Sequence, residues 1–105
     1  MANPHPSPGT TVIVEEHVRF SFGALCSACQ AEPSVLRDLV EEGLLQPSGS
    51  SPDDWTFEGS ALPRALTALR LARDLRLSAD ATVLVVDLLE EVRALRARLR
   101  RTGSS

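Results

Sequence analysis

Residues 78–101, SADATVLVVDLLEEVRALRARLRR, place Val85, Leu88, Val92, Leu95 and Leu99 at alternating steps of three and four. That spacing is the seam of a coiled coil on a long helix, with Ser78 as its N-cap and Asp80 beside its positive end. A lone helix of this kind would leave the seam wet, so the pattern predicts a partner, and a second copy of the chain fits it. The other way to cover the stripe is to pack it on the chain's own domain. Charge gives the pairing a direction. Asp80, Asp87, Glu90 and Glu91 come first, then Arg93, Arg96, Arg98, Arg100 and Arg101. An antiparallel pair centred near Val92 sets acids beside arginines, whereas a parallel pair sets like beside like. The helix macrodipole alone would also favour this order of charges.

Upstream, Leu25–Pro47 reads LCSACQAEPSVLRDLVEEGLLQP, two short apolar-faced segments split at Gln30–Glu32 and stopped by Gly43 and Pro47. This is the outline of a helix-turn-helix. Ser21 can cap the first helix, whose apolar face would be Phe22, Leu25, Cys26 and Cys29, and Pro33 fits the first turn of the second. The second helix is expected to bury Val35, Leu36, Leu39 and Val40. It would expose Ser34, Arg37, Asp38, Glu41 and Glu42, three carboxylates against one arginine. A helix entering the major groove needs positive charge and donors for phosphates and base edges. The outline fits recognition; the charge argues that the partner is not DNA.

Thr11–Phe22 has the β-branched, partly alternating character of a short strand or an extended lead-in. The loop SGSSPDD after Pro47 leads to Trp55-Thr56-Phe57, where a winged helix-turn-helix has its wing. A third helix is expected from the cap Ser60 to about Arg76, with Leu62, Leu66, Leu69 and Ala72 or Arg73 along one face. The expected organisation is a mobile tail over 1–10 and a helix-turn-helix domain with wing and third helix over 11–77. A dimerisation helix over 78–101 and a tail over 102–105 complete it.

Charge divides along the chain. Residues 1–58 hold two arginines and nine acids, a net of −7, and residues 59–105 hold nine arginines and five acids, a net of +4. The first half is therefore suited to a basic partner, or the halves to each other in a dimer. No apolar run is long enough to span a bilayer and no signal-peptide pattern opens the chain, which predicts a cytoplasmic protein.

Cys26-Ser-Ala-Cys29 has the spacing of a zinc or redox pair. Zinc would need further ligands from His5 and His17, and a redox CxxC normally opens a helix after a strand. Two cysteines three apart on a short helix fit packing better, and neither a metal nor any other cofactor is expected. Trp55 and Phe57 share a face of their strand, either as core between wing and helices or as an exposed hot spot. No nucleophile elbow, phosphate loop or other catalytic constellation is present, and His17 between Glu16 and Val18 reads as a strand residue. An enzyme is not expected.

Taken in order, Leu25–Cys26, the LVEEGLLQP of Leu39–Pro47, the W-x-F of Trp55–Phe57 and the ALRLARDLRLSADATVLVVDLLEEVRALRARL of Ala68–Leu99 resemble the CbpM chaperone-modulator family. That family is related to the MerR-type helix-turn-helix regulators, and the resemblance runs from about Phe20 to Arg101. It implies a mostly α, MerR-like winged helix-turn-helix with a short wing and a long C-terminal dimerisation helix. It also implies a bacterial protein that inhibits a CbpA-type DnaJ homologue by covering its J-domain. The MerR pattern LRYYE-x-x-GLL is matched here by LRDLVEEGLL: Arg37 is kept, while Asp38 and Leu39 replace the tyrosines, and the wing carries Asp53 and Asp54. The DNA-contacting set is gone, and direct DNA binding is not expected.

J-domains resemble one another in carrying a basic surface, so Asp38, Glu41, Glu42, Asp53 and Asp54 are the candidate partner-binding residues. Val85, Leu88, Val92, Leu95 and Leu99 are the candidate dimer interface. The competing reading from another class is a MerR-type transcription regulator that sets Arg37, Arg64, Arg70 and Arg73 on phosphates. A bare dimerisation adaptor is a third.

Overall fold

The first described segment is a pair of antiparallel strands rather than a single strand. In the computed structural model, which describes residues 11–14 and 17–103, β1 (Thr11–Val14) pairs antiparallel with β2 (His17–Ser21). The sequence between the two strands carries none of the Gly or Asn signals of a tight turn, so it reads as one strand where there are two. The expected tail over 1–10 lies outside the described residues. β2 is central in a three-stranded sheet, and its other neighbour is β3 (Thr56–Glu58), with Phe20 opposite Phe57.

Ser21 ends β2 and caps α1 (Phe22–Cys29): its Oγ accepts from the Ala24 N–H at 3.0 Å. Gln30 turns the chain in the left-handed region at φ 55°, and the Ala31 N–H reaches back to the Cys26 carbonyl. α2 (Pro33–Glu41) begins on its proline. It ends in a Schellman closure: Gly43 stands at φ +99°, its N–H donates to Val40 and that of Leu44 donates to Leu39. Leu44, the residue this closure turns inward, is fully buried. Gly43 thus both stops the helix and delivers a core side chain.

α3 (Ala61–Leu75) and α4 (Ala79–Arg101) complete the fold. The cap of α4 is as expected, the Ser78 Oγ accepting from the Ala81 N–H at 3.4 Å, and the Asp80 carboxylate takes the same donor at 3.0 Å. Hydrogen bonds from Ser78 and from the backbone hold the Asp80 carboxyl below its ordinary range. Ser60, by contrast, does not cap α3: its backbone is already helical and its hydroxyl makes no capping bond.

The core joins Leu25 and Cys26 of α1, Leu36, Leu39 and Val40 of α2, Leu44, Leu45, Phe57, and Val83 and Val86 of α4. α3 enters it through Ala61, Ala65 and Ala68, not through the leucine face that spacing suggests. Small side chains let α3 approach the other helices closely, and Leu62 and Leu69 flank the contact while Leu66 faces outward. Phe22, Trp55 and Phe57 form an aromatic cluster with centroid separations of 5.6 to 6.3 Å, two of its three pairs edge-on. Phe57 is buried and Trp55 half-buried, so the pair packs the wing onto α1. Thr82 is the one buried polar residue among those described, and its hydroxyl donates to the Ser78 carbonyl at 2.8 Å.

Candidate functional site

The hydrophobic stripe of α2 that meets the core is Leu36, Leu39 and Val40, which turns Ser34, Asp38, Glu41 and Glu42 into solvent. Val35, expected in the core, is 45% exposed. It lies one helical turn from Asp38 and two from Glu42, on the outward ridge beside them. A residue of a core-facing helix is buried only when it falls inside the narrow contact stripe, and Val35 falls just beyond it.

Asp53 and Asp54 stand apart from α2, on a single 3-10 turn (Pro52–Asp54) at the tip of the wing loop, and both are exposed. This loop is firmly built. Ser48 bridges Thr56 through two backbone hydrogen bonds of 2.9 Å. Arg19 of β2 donates to the Ser48 Oγ at 2.7 Å and to the Thr56 Oγ1 at 3.2 Å, with Glu58 at 3.8 Å. Gly49 is required where it stands: at φ +114° a Cβ would come within 2.5 Å of the Asp54 carbonyl oxygen. One of the two arginines in the acidic half therefore binds its own fold. The spacing of residues 19, 48 and 56 gives no sign of that role.

α4 has two apolar faces. Val83 and Val86 turn inward, while Leu84, Leu88, Val92, Leu95 and Leu99 lie on the roughly opposite side, between 41% and 59% exposed. Val85 is half-buried between the two faces, and Leu84, absent from the expected seam, heads the exposed stripe. From Glu90 onward the helix is exposed apart from the half-buried Ala97.

Two acids expected to face a second chain are engaged within this one. Arg64 of α3 donates to Glu90 at 2.6 and 2.8 Å and to Asp87 at 2.7 Å, which holds the Glu90 carboxyl below its ordinary range and raises the guanidinium. Among the described residues, Asp80 and Glu91 are the acids of that set that are exposed and make no ion pair. The same network takes Arg64 out of the set proposed to touch phosphates, and Arg73 is paired with Asp74 at 3.0 Å. Among the described residues, Arg37 and Arg70 are the members of that set without an ion pair.

Cys26 is buried and Cys29 half-buried at the end of α1. Burial raises both thiols above their ordinary range, and at Cys29 the neighbouring Cys26 adds to the rise. No group of three or more metal-binding side chains occurs among the described residues. A raised thiol holds less thiolate at neutral pH, so alkylation by iodoacetamide at pH 7 should be slower than for free cysteine, with Cys29 modified first. Replacing both by Ala should cost about 1–3 kcal/mol in a denaturant melt. Rapid labelling of either thiol would contradict the packing role.

No helix among the described residues is long and apolar enough to cross a membrane. Residues 20–103 match the model of the MerR HTH family regulatory proteins. The chain is 32% identical over 89 residues to the chaperone modulatory protein CbpM of Coxiella burnetii, covering 85% of this chain and 84% of that one. The proteins of the same description from Pseudomonas putida and Pseudomonas entomophila are each 32% identical over 88 residues, covering 84% of this chain and 83% of theirs. Neither description is that of an enzyme.

Proposed function

Because the chain belongs to the CbpM family of chaperone modulatory proteins, within the MerR-like helix-turn-helix proteins, we propose that it inhibits a CbpA-type co-chaperone by covering its J-domain. The observation that carries this reading is the outward face of α2. Where a DNA reader would present donors, this helix presents Asp38, Glu41 and Glu42, exposed and without intrachain ion pairs among the described residues. An acidic face of this kind attracts a basic surface such as that of a J-domain, and steers the encounter at a salt-dependent rate. Asp53 and Asp54, on their braced loop, add two exposed acids at the wing. The working form is a homodimer joined through the outer stripe of α4, which leaves both α2 faces free.

The regulator reading is favoured by the family model and by Arg37 and Arg70, and one pair of assays separates the two. The protein should co-elute from a sizing column with the full-length co-chaperone of the same organism. Duplex DNA at micromolar protein and moderate salt should show no saturable shift. Tight, sequence-selective DNA binding that weakens steeply with salt, without co-elution, would reverse the assignment.

A further inference from the structure

Beside the acidic face lies an apolar groove of about 380 Å3 between the α1–α2 turn and α3. Cys29, Ala31, Val35, Leu69 and Ala72 form its walls, with Glu32 on the α2 side and Arg73 on the α3 side. Exposed carboxylates accelerate an encounter but contribute little to the lifetime of a complex. Lasting affinity comes from an apolar anchor that is desolvated inside a polar rim. Val35 has no role in the core of this chain, yet it stands where the groove and the acidic ridge meet.

We propose that this groove is the anchor site for the co-chaperone, taking one large apolar side chain from a basic helix whose cations lie on Asp38 and Glu42. The inference rests on the J-domain reading above and adds to it the kind of surface that must dock. Charge orients the helix. Its basic flank lies over α2, where Glu32, Asp38 and Glu42 follow one another, and its neutral or acidic flank lies beside Arg73. Arg73 is largely exposed and, among the described residues, pairs only with its neighbour Asp74, so it repels a reversed helix.

Binding kinetics of the whole chain with the full-length co-chaperone of the same organism test the anchor. Val35→Ser removes one wall at an exposed position, and Ala72→Met fills the groove. Both should speed dissociation about tenfold or more while association stays within about twofold, as expected for loss of a hot spot. The two changes alter the groove in opposite ways, so a shared effect on dissociation is not a folding defect. Asp38→Asn/Glu42→Gln should do the converse, slowing association and leaving dissociation within about twofold. Dissociation unchanged in both groove variants, with association still slowed by the acid variants, would overturn the anchor and leave the J-domain reading standing. No binding by the parent protein would overturn both.

Discussion

Light scattering on a Leu88→Asp/Leu95→Asp variant should report a folded monomer where the parent reports a dimer. Both leucines lie on the outer stripe of α4, each about one turn from Val92, the centre of the proposed antiparallel pair. A fully buried leucine is worth about 1.5–3 kcal/mol, and a side chain already half-buried in the single chain gains roughly 1 kcal/mol on pairing. Two-fold symmetry counts each substitution twice, so the apolar loss alone is about 4 kcal/mol. In that arrangement position 88 of one chain faces position 95 of the other. The new carboxylates would meet as like charges in a desolvated seam, and the total loss is larger still. The monomer should stay folded because Val83 and Val86, not the substituted residues, carry α4 into the core. Circular dichroism should be unchanged. A parent that is monomeric at high micromolar concentration would contradict the dimer. So would a Leu99→Cys variant that cross-links to itself, since that contact requires parallel helices.

Reversing Glu41 and Glu42 to Lys should slow association with the J-domain about tenfold at low salt, with the gap narrowing as salt rises. The double reversal takes the formal net charge from −3 to −3 + 4 = +1. It also inverts the sign of the face that would attract a basic surface. Neither residue packs in the core, so the fold should be retained. Positive charge at the C-terminal end of α2 is in fact favoured by the helix dipole, so a loss of binding cannot be assigned to a weakened helix. Stopped-flow association at two ionic strengths measures the effect. An unchanged rate would move the interface to α3 and α4.

Local chemistry in the sequence was a good guide to these surfaces where a single segment decides the outcome. Ser21 and Ser78 announce helix starts because an N-cap acts on donors two or three residues away, and both hydroxyls accept from those donors. The stop at Gly43 and the acidic outer face of α2 follow in the same way from short spacings. What the sequence concealed depends on partners far along the chain. The alanine row of α3 gives a weak periodic signal beside the louder leucines at 62, 66 and 69, although close helix approach selects the small residues. Arg64 reads as a free cation until folding brings Glu90, 26 residues away, against it. Val35 shows apolar character but not its place at the edge of the contact stripe. The groove that gives it a role is made by two helices and a turn that no short window contains.

A J-domain works by engaging an Hsp70 through its basic surface. The most direct test of the account is therefore the ATPase activity of that Hsp70, stimulated by the full-length co-chaperone and titrated with this protein. Inhibition through the J-domain predicts that stimulation falls to the unstimulated rate and saturates near one chain per J-domain. Adding the Glu41→Lys/Glu42→Lys protein at the same concentrations should leave most of the stimulation intact at low salt. Full stimulation in the presence of a large excess of the parent protein would contradict the account.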